Sequence, residues 1–264
     1  MAPQITRPLP HQTNQQTLNV TVPLVGLVAL GITIGALVGL IGAGGSILAV
    51  PGLIAVLGLP MNEATLSGAV IVGSASVAGL IRRRTTESVN VRAGVVFSAT
   101  GLLGAIVGVR LATLIDERIV VYAFSLVVLA AAASMWRSVP PNGKAWGGRW
   151  RTVLIASGVG ALTGLLGIGG GFMIVPALVL GMGLSVREAS GASLVAISLN
   201  SAVVLLLRAD QWGTLQLGPV GLVAALAIGT AFLITPLAER IPAGALRRGF
   251  AVFLIGVAIV LVAQ

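Results

Sequence analysis

Two glycine clusters within long apolar stretches are the residues of this chain best suited to bind a ligand. The first is Gly42-Ala43-Gly44-Gly45, followed by Ser46, and the second is Gly167-Ile168-Gly169-Gly170-Gly171. Several glycines together predict a break between two helical pieces, because each lowers helix stability by about 1 kcal/mol. The helix that begins after a break presents backbone N–H groups and a partial positive charge, and glycine lets an anion approach them closely. The pattern therefore predicts anion binding at Gly44, Gly45, Ser46, Gly169, Gly170 and Gly171.

Close helix packing is the alternative role for glycine in such stretches. Small residues spaced four apart allow two helices to approach, and this spacing occurs at Gly31, Gly35 and Gly39 and at Gly160 and Gly164. Packing alone does not require consecutive glycines followed by Val-Pro in both halves of the chain. The sequence therefore favours the anion site.

Small polar residues follow each glycine cluster on the next predicted helix. Ser67 and Ser74 are seven residues apart and share a helix face, and Ser193 and Asn200 do the same. Their hydroxyl and amide groups are candidates to complete the coordination of an oxyanion, and ordinary hydrogen bonding between helices is the alternative. The candidates for substrate contact in this set are Ser67, Ser193 and Asn200.

Three ionisable residues next to apolar sequence are candidates for coupling or substrate contact. Glu63 and Glu188 are functional candidates as carboxylates close to the membrane. Ser185 and Glu188, however, have the spacing of a capping box at a helix start, and Glu63 occupies the same helical position, so capping is favoured for both. Arg110 is flanked by long apolar sequence, and a side chain that reaches the membrane surface is favoured over substrate contact.

The composition places all of these residues in a membrane. Of the 264 residues, 56% are hydrophobic and only 9% are charged, and the mean hydropathy is +1.05. A soluble domain carries about a quarter charged residues. The chain has no cysteine and a single histidine, His11, which excludes a disulfide framework and a Cys/His zinc site. We expect an all-α polytopic membrane protein that is not an enzyme and has no cofactor, no metal and no nucleic-acid partner.

The two halves of the chain are similar at an offset of 125 residues. Residues 35–53 and 160–178 are identical at 11 of 19 positions, where chance gives roughly 2 or 3. The apolar runs 22–58 and 152–183 are each too long for one helix, so we predict glycine-broken helices near the midplane, followed in each half by three ordinary helices. An odd number of segments per half predicts two inverted-topology repeats of about five transmembrane segments each.

The predicted segments divide the chain into four parts. These are a disordered tail at 1–20, a first repeat at 21–136, a cytoplasmic connector at 137–151 and a second repeat at 152–264. With the N-terminus outside, 12 of the 16 basic residues fall on one face of the membrane. Basic residues accumulate in cytoplasmic loops, so this face is predicted to be cytoplasmic and both termini are predicted to be outside.

Two motifs make the chain similar to the TauE/SafE family of sulfite exporters. They are GLIGAGGSILAVPGLIAVLGL and GLLGIGGGFMIVPALVLGMGL, each followed by a helix that begins near Glu-Ala, and the resemblance covers residues 22–263. It implies a bacterial inner-membrane permease for sulfite, sulfoacetate or other small sulfonates. It also implies that the glycine motifs and the polar residues of the following helices are the functional positions. The first half departs from the usual pattern at Leu66-Ser67-Gly68-Ala69, which makes Ser193 a stronger candidate than Gly68.

The mechanism that we expect is alternating access, with the two halves rocking around a central site. An inside-negative potential favours anion exit by about 2.3 kcal/mol per charge per 100 mV, so export does not require a coupling carboxylate. An anion channel and an uptake permease for another small organic anion remain alternatives. The expected partners are the lipid bilayer and a small anion such as sulfite or a sulfonate, and a homodimer is a further option.

Overall fold

The structure is a computed structural model that describes residues 10–42, 45–84, 89–111, 117–136, 149–166 and 171–262. These residues form ten α-helices and one short 3-10 helix, with no strand among them, so the all-α prediction is confirmed over these ranges. The first half contains α1 (Pro10–Ile41), α2 (Gly45–Leu57), α3 (Met61–Arg84), α4 (Val91–Leu111) and α5 (Glu117–Trp136). The second half contains α6 (Arg149–Leu166), α7 (Gly171–Met182), α8 (Val186–Leu207), the 3-10 helix (Ala209–Thr214), α9 (Leu217–Arg240) and α10 (Ala243–Val262).

Five of the described helices are long and apolar enough to cross a membrane. The apolar segments are Leu24–Ile41, Met61–Arg84, Val91–Gly108, Val186–Leu207 and Leu217–Ala238. Each is close to the length of about 20 residues that a hydrocarbon layer of about 30 Å requires. The chain is therefore a multi-pass membrane protein.

The first helix extends further towards the N-terminus than the sequence predicts. It begins at Pro10, inside the stretch for which a disordered tail is predicted, so residues 10–20 are helical in the structure. Residues 1–9 and most of the connector at 137–151 lie outside the described residues, as do Gly44, Gly169 and Gly170.

Two short helices, α2 and α7, follow the positions of the glycine clusters. They have 13 and 12 residues, which is about 20 Å and 18 Å of helix at 1.5 Å per residue. Each is followed directly by a glycine with positive φ, Gly58 at 65° and Gly183 at 67°. The N–H of Gly58 donates to Ile54 O at 2.8 Å, and glycine at this position avoids the steric cost of a left-handed turn. Neither helix is long enough to cross the membrane alone.

Glycine stripes join helices from different halves of the chain. Along α1, the stripe formed by Gly31, Gly35 and Gly39 faces, in the same order, Val223, Ala227 and Ala231 of α9. The two helices therefore run parallel, and a Cβ atom at Gly35 would lie 2.5 Å from the backbone oxygen of Ala227. Gly104 and Gly108 of α4 face α6 in the same way. These glycines have the packing role that the sequence left as an alternative.

The remaining contacts divide eight helices into two bundles. The first bundle contains α1, α2, α3 and α9, and the second contains α6, α7, α8 and α4. Helices α3 and α8 cross antiparallel between them, since Gly73 faces Ser201 and Gly79 faces Leu194. Helix α5 packs mainly on α10. Each bundle therefore combines three helices of one half with one helix of the other.

The crossing of α3 and α8 defines two faces of the molecule. We call the end where α3 finishes and α8 begins the Arg83 face, and the opposite end the Arg208 face. Helix ends at the Arg83 face carry Arg82, Arg83, Arg84, Arg92, Arg149, Arg187, Arg240, Arg247 and Arg248. In contrast, α4 and α8 end at the Arg208 face with Arg110 and Arg208.

Candidate functional site

A cavity of about 330 Å³ lies between the two bundles on the Arg208 side of the crossing. It is lined by residues of α2, α3, α4, α6, α7 and α8, so both halves of the chain contribute. Its volume is at the lower end of the range of roughly 300–1,000 Å³ for ligand pockets, which suits a small molecule. The walls are mainly apolar, and the polar side chains that line them are Ser46, Thr65, Thr163, Asn200, Ser201 and Arg208.

The N-termini of α2 and α7 meet at this cavity. Ser46 is the second residue of α2 and Gly171 is the first residue of α7, and both line the cavity. A Cβ atom at Gly171 would lie 2.7 Å from Ser46 Oγ, so the two helix starts are in direct contact. The first four N–H groups of a helix have no partner within that helix, and they point out of its start. Ser46 Oγ is itself buried without a hydrogen-bond partner among the described residues.

Asn200 supplies the amide of the cavity wall. The Ser98 hydroxyl of α4 donates to Asn200 Oδ1 at 2.6 Å, which fixes the orientation of the amide. The Nδ2 group of Asn200 is then the end that can donate to a ligand. Ser98 was not a sequence candidate, because only the packing of α4 on α8 brings the two residues together.

Arg208 lines the cavity near its end at the Arg208 face. Its Nη1 donates to the backbone oxygen of Asn62 at 3.3 Å, and the side chain is half-buried. It is the one charged residue among the described residues that line the cavity. An arginine at this position attracts anions towards neutral hydroxyl, amide and N–H donors. Arg208 was not a sequence candidate, because it precedes a short polar segment and resembles a loop residue.

Comparison with known proteins identifies the family. The sequence model of the family described as Sulfite exporter TauE/SafE matches residues 27–261 of this chain. The chain belongs to the TauE/SafE family. A "Probable membrane transporter protein" of Xylella fastidiosa (strain 9a5c) is 33% identical over 137 residues, which is 50% of this chain and 52% of that protein. The protein of the same name from Xylella fastidiosa (strain Temecula1 / ATCC 700964) has the same identity and coverage. The match spans about half the length of these curated relatives, and no solved structure matches.

Three of the glycine-loop candidates are among the described residues of this TauE/SafE family member. Ser46 and Gly171 line the cavity, and Gly45 does not. A Cβ atom at Gly45 would lie 2.6 Å from Val38 Cγ2, so Gly45 packs against α1. Among the polar candidates, Asn200 reaches the cavity lining. Ser67 is buried and outside the lining.

Ser193 of the TauE/SafE chain forms buried hydrogen bonds outside the cavity. Its Oγ lies 2.6 Å from the backbone oxygen of Gly42 and 2.8 Å from that of Ser190, within donating distance of both. The first contact ties α8 to the end of α1, which matches the hydrogen bonding between helices that the sequence left as the alternative role. Direct substrate contact by Ser193 remains a prediction.

The candidate coupling residues lie away from the lining of the TauE/SafE cavity. The capping box predicted at the start of α8 is confirmed: the Glu188 N–H donates to Ser185 Oγ at 3.3 Å, and the Ser185 N–H donates to Glu188 Oε2 at 2.9 Å. Glu63 is in the first turn of α3. Arg110 is exposed in the last turn of α4. Over the described ranges, no group of three or more His, Cys, Asp or Glu side chains could hold a metal ion.

Proposed function

We propose that this protein exports small sulfur-containing anions, such as sulfite or organosulfonates, across the bacterial inner membrane as a secondary transporter. The observation that carries the proposal is the cavity between the bundles, where two helix starts meet beside the buried Ser46 Oγ, which has no hydrogen-bond partner in the described part of the chain. The family description and the names of the curated relatives support transport. The chemistry of the lining favours an anion because its donors are hydroxyl, amide and N–H groups together with one arginine.

The same lining accounts for reversible binding. We call the part of the cavity where α2 and α7 begin its floor. Neutral donors at the floor bind an oxyanion without the tight pairing of a buried ion pair. Arg208 adds its charge from the partly exposed end of the cavity. The candidates for direct contact are Ser46 and Asn200 with the N–H groups of the first turns of α2 and α7. Gly44, Gly169 and Gly170 extend this set by their place in the sequence. An inside-negative potential favours exit of an anion by about 2.3 kcal/mol per charge per 100 mV.

We further propose that the halves are inverted-topology repeats with breaks at the glycine clusters near the midplane. Helix directions support the inversion: α1, α3 and α9 run one way, and α4, α6 and α8 run the other. Corresponding helices of the two halves therefore run in opposite directions. The packing is also repeated between the halves: α1 packs on α9, and their counterparts α6 and α4 pack on each other. The division into repeats at 21–136 and 152–264, joined by a connector at 137–151, follows from this proposal.

The concentration of arginines at the Arg83 face supports the orientation. Basic residues accumulate on the cytoplasmic side of a membrane, so we place the Arg83 face in the cytoplasm and both termini in the periplasm. The cavity is then on the periplasmic side of the crossing.

Alternating access is the mechanism that we propose for this cavity, with one change from the sequence-based expectation. Because α9 packs in the first bundle and α4 in the second, the units that move are the two mixed bundles and not the two halves of the chain. Their interface is the α3–α8 crossing together with the contact between α2 and α7. Rocking about this interface closes the cavity on one side and opens it on the other.

Sulfite efflux from proteoliposomes tests the function, with Gly171→Leu as the site variant and Gly158→Leu as the control. A side chain at Gly171 meets Ser46 Oγ at 2.7 Å, whereas a Cβ atom at Gly158 of α6 has no heavy atom within 4 Å. We expect Gly171→Leu to lower the rate by roughly tenfold or more, the effect of 1.4 kcal/mol, and Gly158→Leu to retain it. Equal rates for the two variants would show that the floor of the cavity does not bind the substrate.

The same vesicles separate a transporter from a channel. A transporter saturates with sulfite concentration and accelerates the exit of labelled sulfite when unlabelled sulfite is present on the other side. An anion channel does neither. Exchange of an organic anion without any response to sulfite would favour the uptake permease instead.

A further inference from the structure

Arg83 occupies an unusual environment for an arginine at the end of a helix. It lies in the last turn of α3, where a long basic side chain normally reaches water, yet it is only 1% exposed. Its Nη1 donates to Ser190 Oγ of α8 at 2.7 Å. A buried guanidinium is costly unless its surroundings stabilise it. Arg83 is thus buried where it bonds from the first bundle to the second.

The residues around Arg83 correspond to residues of the cavity. At the offset of 125 that relates the two halves, Arg83 corresponds to Arg208, Ser190 to Thr65 and Ser76 to Ser201. Arg208, Thr65 and Ser201 all line the cavity. Their serine counterparts are fully buried, since Ser190 and Ser76 are 0% exposed. Arg83, Ser190 and Ser76 are therefore the counterparts, by sequence offset and on the other side of the crossing, of three residues that line the cavity.

The two arginines differ in the partner that they reach. Arg83 bonds to Ser190, whereas Arg208 bonds to Asn62 O and not to Thr65, the counterpart of Ser190. Asn62 precedes Thr65 by three residues on α3, a shift of about 4.5 Å along the helix towards the Arg208 face. Arg208 is thus held at the end of the cavity nearest the Arg208 face, whereas Arg83 bonds across the bundle interface. One side of the crossing is open and the other is closed.

We propose that Arg83, Ser190 and Ser76 form a second anion site that is closed in this structure and opens to the Arg83 face when the bundles rock. It takes the same ligand class as the cavity, a small oxyanion, and the Arg83 guanidinium is its charged donor, because its planar donor array matches two oxygens of such an ion. In the closed state, the bond between Arg83 and Ser190 holds the passage shut. This inference rests on the proposed alternating-access function.

Cysteine accessibility tests the closed site directly, because the chain contains no cysteine. We place single cysteines by Ser76→Cys and Ser201→Cys and measure labelling by a membrane-impermeant maleimide from each face. We expect Ser201→Cys to be labelled from the Arg208 face and Ser76→Cys to be protected from both. Adding Ser190→Ala should raise the labelling rate of Ser76→Cys from the Arg83 face by roughly tenfold, as expected for loss of a hydrogen bond to a charged group.

Ser198→Ala is the matched control for Ser190→Ala. It removes a hydroxyl from the same helix, but that hydroxyl donates to Leu194 O within α8 and does not reach Arg83. We expect it to leave the labelling of Ser76→Cys unchanged. Arg83→Gln should raise the labelling rate of Ser76→Cys more than Ser190→Ala does. If Arg83→Gln does not fold, Ser190→Ala alone tests whether the Arg83–Ser190 bond keeps the site closed.

A binding measurement tests the ligand of the second site. With sulfite supplied at the Arg83 face, Arg83→Gln should raise the sulfite concentration that gives half-maximal transport by about tenfold. Arg83→Lys should raise it less, because lysine keeps the positive charge. Unchanged labelling in Ser190→Ala, or unchanged half-saturation in a folded Arg83→Gln protein, overturns the inference while the unsubstituted chain still transports sulfite. Failure of the unsubstituted chain to transport sulfite instead overturns the proposed function.

Discussion

Replacing Arg208 by glutamine removes the charge of the cavity while leaving its floor intact. Arg208 follows Ser201 of the cavity wall by seven residues of α8, or about 10 Å along the helix at 1.5 Å per residue. At that distance a unit charge stabilises a bound monovalent anion by about 0.4 kcal/mol with the dielectric constant of water, and by about 1.7 kcal/mol with an effective value of 20. We therefore expect Arg208→Gln to raise KM for sulfite by about 2- to 17-fold.

The assay is the initial rate of sulfite transport from the Arg208 face as a function of concentration. In the proposed function Arg208 attracts the anion and does not bind it directly, so KM should change more than kcat. Arg208→Lys should keep KM within about twofold, because it retains the charge. The effect of Arg208→Gln should also shrink at high salt, where the Debye length falls from about 10 Å at 0.1 M to about 3 Å at 1 M.

Arg110→Gln is the control for general surface charge. It removes the same charge from the same face, but Arg110 is exposed and outside the cavity lining. KM should stay within about twofold of the unsubstituted value. If the two glutamine variants raise KM equally, or if Arg208→Gln has no effect at low salt, the assignment of Arg208 to the cavity is wrong.

Three further outcomes follow from the packing. Gly35→Ala should destabilise the protein by about 1–3 kcal/mol, since the added Cβ meets the Ala227 backbone at 2.5 Å. In contrast, Gly221→Ala, with no heavy atom within 4 Å of its Cβ, should stabilise it by up to about 1 kcal/mol. Thermal unfolding in detergent checks both variants, and an equal Tm would contradict the close packing. Glu188→Gln should transport sulfite with unaltered pH dependence, because Glu188 caps α8, and a displaced pH profile would favour proton coupling instead. Ser193→Ala should cost about 1–3 kcal/mol because it removes the buried hydroxyl that bonds to the backbone oxygen of Gly42, and an unchanged Tm would show that this bond contributes little.

Local patterns were sufficient to predict the helical class and the start of α8. Apolar length fixes which segments can cross a membrane, and the capping box depends on four consecutive residues, so neither needs tertiary information. The candidate site was predicted only in part. Ser46, Gly171 and Asn200 line the cavity, whereas the buried Ser193 bonds to Gly42, because face periodicity cannot tell a cavity wall from a helix interface.

The arginines show why the rest of the site could not be predicted. A basic residue in the last turn of a helix normally lies in the aqueous boundary, so Arg83 and Arg208 both look like surface residues. Arg83 bonds to Ser190 of α8, and Arg208 bonds to Asn62 of α3. In each case the partner is more than 100 residues away in the sequence. The signal present in the sequence was their separation of 125 residues, the same offset that relates the glycine clusters.

The parallel pairing of α1 with α9 has a consequence for biosynthesis. Ala231, which faces Gly39, follows it by 192 residues, and a ribosome adding about 5–20 residues per second needs about 10–40 s to reach it. During that time α1 sits in the bilayer with its small-residue groove exposed to lipid, and a ribosome stalled before α9 leaves that groove unfilled. A truncated chain of this kind should be a substrate for membrane proteases, whereas co-expression of the missing C-terminal fragment should rescue it.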